Sequence, residues 1–269
     1  MTKMIALFAL CAGTSAALAQ VPYSTGNYTQ DFDSLPNSGS NTVTWAWSNN
    51  STIPGWYNFS GSSSSNTIRE STTTNSTAIH RVDAGTSTTG GLFSYGTLNA
   101  TDRALGHIAS GSFESVTLLV IQNTNAFDLV SFTLSYDGEQ WRNANTSVNS
   151  LVFDFTVLNA LPTGADVVAS NVAGFTAVPA LDFASPVIGG TATALDGNLP
   201  ANRTAGINAT VNVTVQPGQY LVMRWWDNND PGNDHGLAID NVSFSAVPTP
   251  GAAALVGLGL LAAGRRRRV

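Results

Sequence analysis

The run Val130-Ser131-Phe132-Thr133-Leu134-Ser135-Tyr136 places an apolar side chain on every second position and a hydroxyl residue on each one between. A period of two turns one row of side chains onto a core and the other into water, which predicts a half-buried β-strand. Working outward, similar β-branched or aromatic runs occur at Val116 to Ile121, Leu151 to Val157, Ile207 to Val215, Tyr220 to Trp225 and Leu237 to Phe244. They are bounded by Asn, Gly, Ser and Asp, the residues that supply turn geometry. Between Gln20 and Ala246 no amphipathic helix is legible, so the helical crossovers of a parallel α/β sheet are missing. The pattern predicts an all-β chain, a single antiparallel β-sandwich of jelly-roll type over residues 20–246. Ser60 to Thr89, rich in Ser, Thr and Asn with Ile68, Ile79 and Val82 as its apolar punctuation, predicts long loops with one or two edge strands.

A chain of 269 residues suits one sandwich of ordinary size. Between residues 20 and 247 six arginines stand against seventeen Asp and Glu, a formal balance of −11. Such a domain repels phosphate backbones, which excludes nucleic acid as a partner and leaves carboxylates for divalent cations. The one cysteine, Cys11, lies in the leader, so neither disulfides nor thiol chemistry belong to residues 20–246.

Lys3, the apolar stretch from Ile5 to Leu10 and the small-residue site Ala17-Leu18-Ala19 form the three parts of a secretory signal. They predict a signal peptide over residues 1–19, cleaved after Ala19. The other end, residues 247–269, reads Val247-Pro248-Thr249-Pro250, then 14 apolar or small residues from Gly251 to Gly264, then Arg265, Arg266, Arg267 and Arg268. This predicts a short hydrophobic helix whose arginines stay on the cytoplasmic side. It is shorter than the roughly 20 residues a bilayer core asks for.

A Pro-x-Pro element followed by a short apolar helix and an arginine cluster resembles the PEP-CTERM sorting signal, with Thr249 standing where that family has Glu. The resemblance implies recognition by a sorting protease of exosortase type and transient inner-membrane contact. It also implies a destination at the cell surface, outer envelope or extracellular matrix. A plain C-terminal anchor is the other reading. In the body of the chain, Gln30-Asp31-Phe32-Asp33-Ser34-Leu35, Gly138-Glu139-Gln140-Trp141-Arg142 and the stretch from Arg224 to Val242 resemble a domain of secreted bacterial proteins without an assigned activity. The first strand, Gly55-Trp56 and Ala238-Ile239-Asp240-Asn241-Val242 are also similar to jelly-roll carbohydrate-binding modules. That likeness implies a structural Ca²⁺ joining Asp31 or Asp33 to Asp240. The same carboxylates also read as solvated or hydrogen-bonded residues on alternate strand positions.

The densest polar segment is Asp227-Asn228-Asn229-Asp230-Pro231-Gly232-Asn233-Asp234-His235-Gly236. Asp227, Asp230 and Asp234 offer oxygens to a hard cation, while the same residues suit a hairpin turn. Trp45, Trp47, Trp56, Tyr57, Trp141, Trp225 and Trp226 offer flat faces to sugar rings, or core anchors. Trp225 and Trp226, adjacent in a strand, face opposite sides, which marks one of them as a surface platform. Trp141, Trp225, Trp226, Glu139 and Arg142 are thus the carbohydrate-binding candidates. Glu139 with Asp227 or Asp234 is the carboxylate pair a glycosidase would need, and on the structural reading Glu139 and Arg142 are an ion pair or a hydrogen-bond network supporting the sandwich.

His80, His107 and His235 lack the paired spacing of a zinc motif, and neither a nucleophile elbow nor a phosphate loop occurs. The sequence therefore reads as a non-catalytic exported surface or matrix protein that meets exopolysaccharide or envelope glycans. A dedicated carbohydrate-binding module and a polysaccharide-acting enzyme are its rivals.

Overall fold

The computed structural model describes residues 20–38, 45–62, 65–70, 80–111, 113–167 and 174–249. Ala17, Ala19, Pro250, the apolar tail and Arg265 to Arg268 lie outside the described residues. In chain order the strands are β1 (Val21–Tyr23), β2 (Tyr28–Gln30), β3 (Trp56–Ser62), β4 (Ser65–Glu70), β5 (His80–Asp83), β6 (Gly91–Tyr95), β7 (Ala104–Ile108) and β8 (Glu114–Asn123). They continue with β9 (Leu129–Asn143), β10 (Ser150–Leu158), β11 (Thr176–Ala177), β12 (Phe183–Ala184), β13 (Thr193–Ala194), β14 (Arg203–Val215), β15 (Tyr220–Asp227) and β16 (Gly236–Pro248), with one α-helical turn, α1 (Gly164–Val167), after β10 and two 3-10 turns, Pro179–Leu181 and Pro200–Asn202. Among the described residues no helix is long and apolar enough to cross a membrane.

The strands form two sheets packed as a sandwich. One has the order β11-β10-β15-β8-β3-β4, with β1 beside β8 and β12 on β10; the other runs β13-β9-β16-β7-β6-β5, with β14 on β9 and β2 on β16. All six strands expected from these runs are present. The polar stretch from Ser60 to Thr89 supplies an edge strand to each sheet, β4 to the first and β5 to the second. The expected antiparallel sandwich is present, and within it two short strands pair the other way, β1 parallel to β8 and β5 parallel to β6. Both parallel partners are short strands at which the chain enters a sheet from outside, so no helical crossover is required.

The core lies where the alternating rows meet. Phe132, Leu134 and Tyr136 of β9 point into it with Phe153, Trp225 and Phe244. Trp225 is at its centre: its ring stacks on Trp56 at 5.7 Å and meets Tyr136 and Phe153 edge-on at 5.6 and 5.2 Å. Aromatic rings in offset or edge geometry add to the gain from burial.

The sheets are also covered on parts of their outer faces. On the first, Tyr57, Phe59, Leu118, Val120 and Val222 pack with Val167 of α1. This explains why Leu118-Leu119-Val120-Ile121 reads as a continuous apolar run, since every one of the four is buried. On the same face Arg224 forms a two-point ion pair with Asp154, Nε to Oδ1 at 2.7 Å and Nη2 to Oδ2 at 2.5 Å. Its Nη1 donates to the carbonyl of Val167 at 2.9 Å, and its guanidinium lies 3.8 Å from the Phe175 ring centre. A third cluster, Phe93, Tyr95, Ala104, Ile108, Trp141 and Ala238, covers part of the second sheet.

Candidate functional site

The loop from Asn228 to His235 joins β15 to β16, and it is stitched to the turn after β9. Asn149 Nδ2 donates to Asp230 Oδ2 at 2.7 Å, His235 N donates to Asn149 Oδ1 at 2.8 Å, and Ala144 N donates to His235 Nδ1 at 2.8 Å. Within the loop, Asp230 N donates to Asp234 Oδ1 at 2.8 Å. These bonds give Asp230 and His235 the turn-forming role that was one of the two readings of this segment.

Beside this loop is a cavity of about 160 Å³, lined among others by Thr88, Ser110, Arg142, Asn229, Asn233 and Asp234. Ligand pockets for drug-sized molecules run from about 300 Å³ upward, so this one suits only a smaller group. Arg142 reaches it from the end of β9 and donates through Nη1 to the Gly85 carbonyl at 3.2 Å. Burial raises the Asp234 carboxyl to about 6, with the neighbouring Asp230 and Glu114 charges pushing the same way. Beneath the loop Asp227 is fully buried, its carboxyl held well above its ordinary range by burial and then by Asp234 and Asp230. The pocket thus brings together a guanidinium with donors beyond the one given to Gly85, a carboxyl group, and two asparagines.

A second polar group lies on the outer face of the second sheet. Glu139 of β9 and Asp240 of β16 are 1% and 2% exposed, and Glu139 Oε1 and Asp240 Oδ1 have no hydrogen-bond partner. Glu139 Oε2 accepts from Trp141 Nε1 at 2.9 Å, and Asp240 Oδ2 accepts from Asn241 Nδ2 at 2.9 Å. Burial raises Glu139 to about 7, against the Trp141 bond, and raises Asp240 to about 8, with the Glu139 charge as the next cause. Asp102 acts on both, and Asp33 on Asp240. Among the described residues no three Asp, Glu, His or Cys side chains are gathered closely enough to hold a metal ion as they stand. The two orphaned oxygens nevertheless call for a proton or a cation.

Several candidates change role. Trp141 and Trp225 are 2% and 0% exposed, so neither is a sugar platform. Trp225 fills the core, while Trp141 lies flat against Tyr95 at 5.9 Å under the segment around Gly197. Trp226 does face away from Trp225, but it is half-buried against the outer cluster of the first sheet. The Glu139–Arg142 ion pair does not form, because Glu139 turns to Trp141 and Arg142 to Gly85. Nor is Glu139 paired with Asp227 or Asp234: its charged neighbours are Asp102, Arg203 and Asp137, whereas those of Asp227 are Asp234, Asp230 and Glu114. Asp31 and Asp33 follow β2 instead of alternating within it, and the intervening Phe32 has φ 56°. Asp33 Oδ1 accepts from Arg103 N at 3.0 Å, and Asp33 rather than Asp31 is the one that acts on Asp240. Asp102, which acts on both carboxylates, is not among the residues the sequence pointed to. Pro248 ends β16, and Thr249 donates from both N and Oγ1 to the Asp128 carbonyl, at 3.0 and 2.9 Å.

No family model matches the chain, and no curated protein sequence matches it either. Among solved structures it is similar to the K3 cleaved adhesin domain of Lys-gingipain from Porphyromonas gingivalis w83, at 14% identity and a TM-score of 0.34, covering 54% of this chain and 74% of that one. The K2 cleaved adhesin domain of Lys-gingipain aligns at 11% identity with a TM-score of 0.34, covering 81% and 97%. TmCBM61, solved in complex with β-1,4-galactotriose, aligns at 9% identity with a TM-score of 0.27, covering 56% and 74%. Likenesses of this size say nothing about ligand or site.

Proposed function

We propose that this chain is an exported, non-catalytic surface or matrix protein that grips a hydroxyl-rich glycan unit in the pocket between Arg142 and Asp234. The observation that carries this reading is the lining of that pocket: a cation, a carboxylate and two side-chain amides around a space suited to a small group. Sugar hydroxyls donate and accept at once, and such a mixed lining satisfies both demands. Recognition then rests on hydrogen bonds, since Trp141 and Trp225 are buried and Trp226 is half-buried against the outer cluster of the first sheet. Exopolysaccharide and envelope glycans are the ligand class, and delivery by an exosortase-type protease through residues 247–269 belongs to the same proposal.

The proposal includes a structural Ca²⁺ at the outer face of the second sheet. Glu139 and Asp240 would hold it, with Asp33 and Asp102 adding negative charge around it. An ion there would supply the positive partner that two buried carboxylates lack.

The binding test is a glycan array followed by calorimetry with the strongest hit, for the unaltered protein and for Arg142→Ala. The expected result is saturable binding that weakens by about tenfold or more in the variant, the loss typical of a charge-assisted hydrogen bond. Absence of any glycan binding, or binding indifferent to Arg142, overturns the proposal.

A further inference from the structure

β14 pairs with β9 along one side only, from Arg203 opposite Glu139 to Val215 opposite Leu129. Among the described residues no backbone hydrogen bond reaches its other side. Asn208, Thr210, Asn212 and Thr214 are exposed, while Ile207, Ala209, Val211 and Val213 between them are half-buried against the main core.

Long edge strands are ordinarily guarded by charge, proline or a twist that turns the edge away. From Thr204 to Gln216 there is neither a charged residue nor a proline. Register with β9 is unbroken from Ile207 to Asn212, so the middle of this edge is regular, and the turn Pro179–Leu181, with Leu181 in the core, lies beside β14. The domain around it carries the formal −11 of residues 20 to 247. Two copies therefore repel over most of their surfaces and meet no repulsion here.

We infer that two copies of this chain pair antiparallel along β14, about a two-fold axis at Thr210. In that register Ile207 faces the partner's Val213, Ala209 faces the partner's Val211, Asn208 faces the partner's Asn212 and Thr210 faces the partner's Thr210. Apolar residues meet apolar ones on the core side, and amides and hydroxyls meet their own kind on the outer side. Thr210 already shares a hydrogen bond with Thr133 at 2.8 Å, and Thr133 stands opposite Ser245 of β16. The pairing extends this hydroxyl row from one copy into the next and closes the half-exposed apolar row over both cores. The second copy is favoured over a foreign strand because the edge is complementary to itself under that two-fold.

The test is oxidative cross-linking of the whole protein carrying Cys11→Ser, so that the introduced thiol stands alone. Opposed Cα atoms in an antiparallel pair lie about 4.5 to 5.5 Å apart, within disulfide reach. Thr210→Cys is expected to cross-link rapidly into dimers, and Asn208→Cys to link to Asn212→Cys when the two variants are mixed. Gln216→Cys, beyond the paired stretch, should remain uncross-linked. Sedimentation of the unaltered protein is expected to show a monomer–dimer equilibrium that Asn212→Lys weakens about tenfold without lowering Tm. A monomer at every soluble concentration, or Thr210→Cys linking no faster than Gln216→Cys, overturns the inference. Glycan binding is a separate measurement, so either proposal can fail alone.

Discussion

Trp141 donates its indole N–H to Oε2 of Glu139 at 2.9 Å, two residues back on the same strand, while Oε1 of that carboxylate has no partner. This half-satisfied carboxylate beside Asp240 makes stability depend on pH. A carboxyl whose pKa is higher folded than unfolded favours the native state while it is protonated. For Glu139 that contribution is whole below about 4.5 and is lost as the pH rises through about 7; for Asp240 the loss extends through about 8. The chain is expected to melt several degrees lower at pH 8 than at pH 5 without divalent cations. Glu139→Gln, which keeps an acceptor for Trp141 and removes one charge, should flatten that difference by roughly 3 kcal/mol, since each tenfold change in proton affinity is worth about 1.4 kcal/mol. Melts across this range check it.

Calcium should act in the opposite sense. Because a cation competes with protons for the same two carboxylates, the rise in Tm between EDTA and millimolar Ca²⁺ is expected to be larger at pH 8 than at pH 5. Asp240→Asn should abolish most of it. An equal response in that variant would place any bound ion elsewhere, with Asp227 and Asp234 the next residues to substitute.

The Arg224–Asp154 pair gives a prediction about packing. Asp154→Ala strands a guanidinium that is 0% exposed, and its expected cost is about 3 to 5 kcal/mol in urea unfolding. Arg224→Met together with Asp154→Ala should recover much of that loss, because two neutral side chains leave no buried charge. A double variant as unstable as the single one would show that the Arg224 contacts with Val167 and Phe175 matter more than the pair.

Gly85 is constrained twice. Its φ is +82°, and a Cβ there would stand 1.8 Å from the Trp141 carbonyl oxygen. Gly85→Ala is expected to destabilise by more than about 2 kcal/mol, since backbone cannot move aside as a side chain can. Gly111→Ala, with nothing within 4 Å of its Cβ, is the control and should cost little.

What could be read in advance follows from how local each signal is. Alternation at Val130 to Tyr136 located β9 and its inward face, because a period of two belongs to the strand itself. The opposite directions of Trp225 and Trp226 followed from the same rule. Burial of Trp141 did not, since it depends on Gly85 and Gly197 closing over the outer face from distant parts of the chain. Parallel pairing of β5 with β6 leaves no mark on either strand alone. Asp102 was silent for the same reason: its role depends on a neighbourhood shared with Glu139 and Asp240, at least 37 positions away. The Arg142–Asp234 pocket was half legible, because both residues were candidates but for different sites.

β16 begins at Gly236, opposite Arg142, and ends at Pro248, opposite Leu129. Tyr23 Oη accepts from Ala246 N at 2.8 Å, which fixes the last strand to the first near that far end. At about 3.4 Å for each residue the strand spans roughly 40 Å. Thr249, the last described residue, therefore lies at the end of the sandwich opposite the polar pocket. The strand works as a built-in spacer between Thr249 and the pocket that holds Arg142 and Asp234.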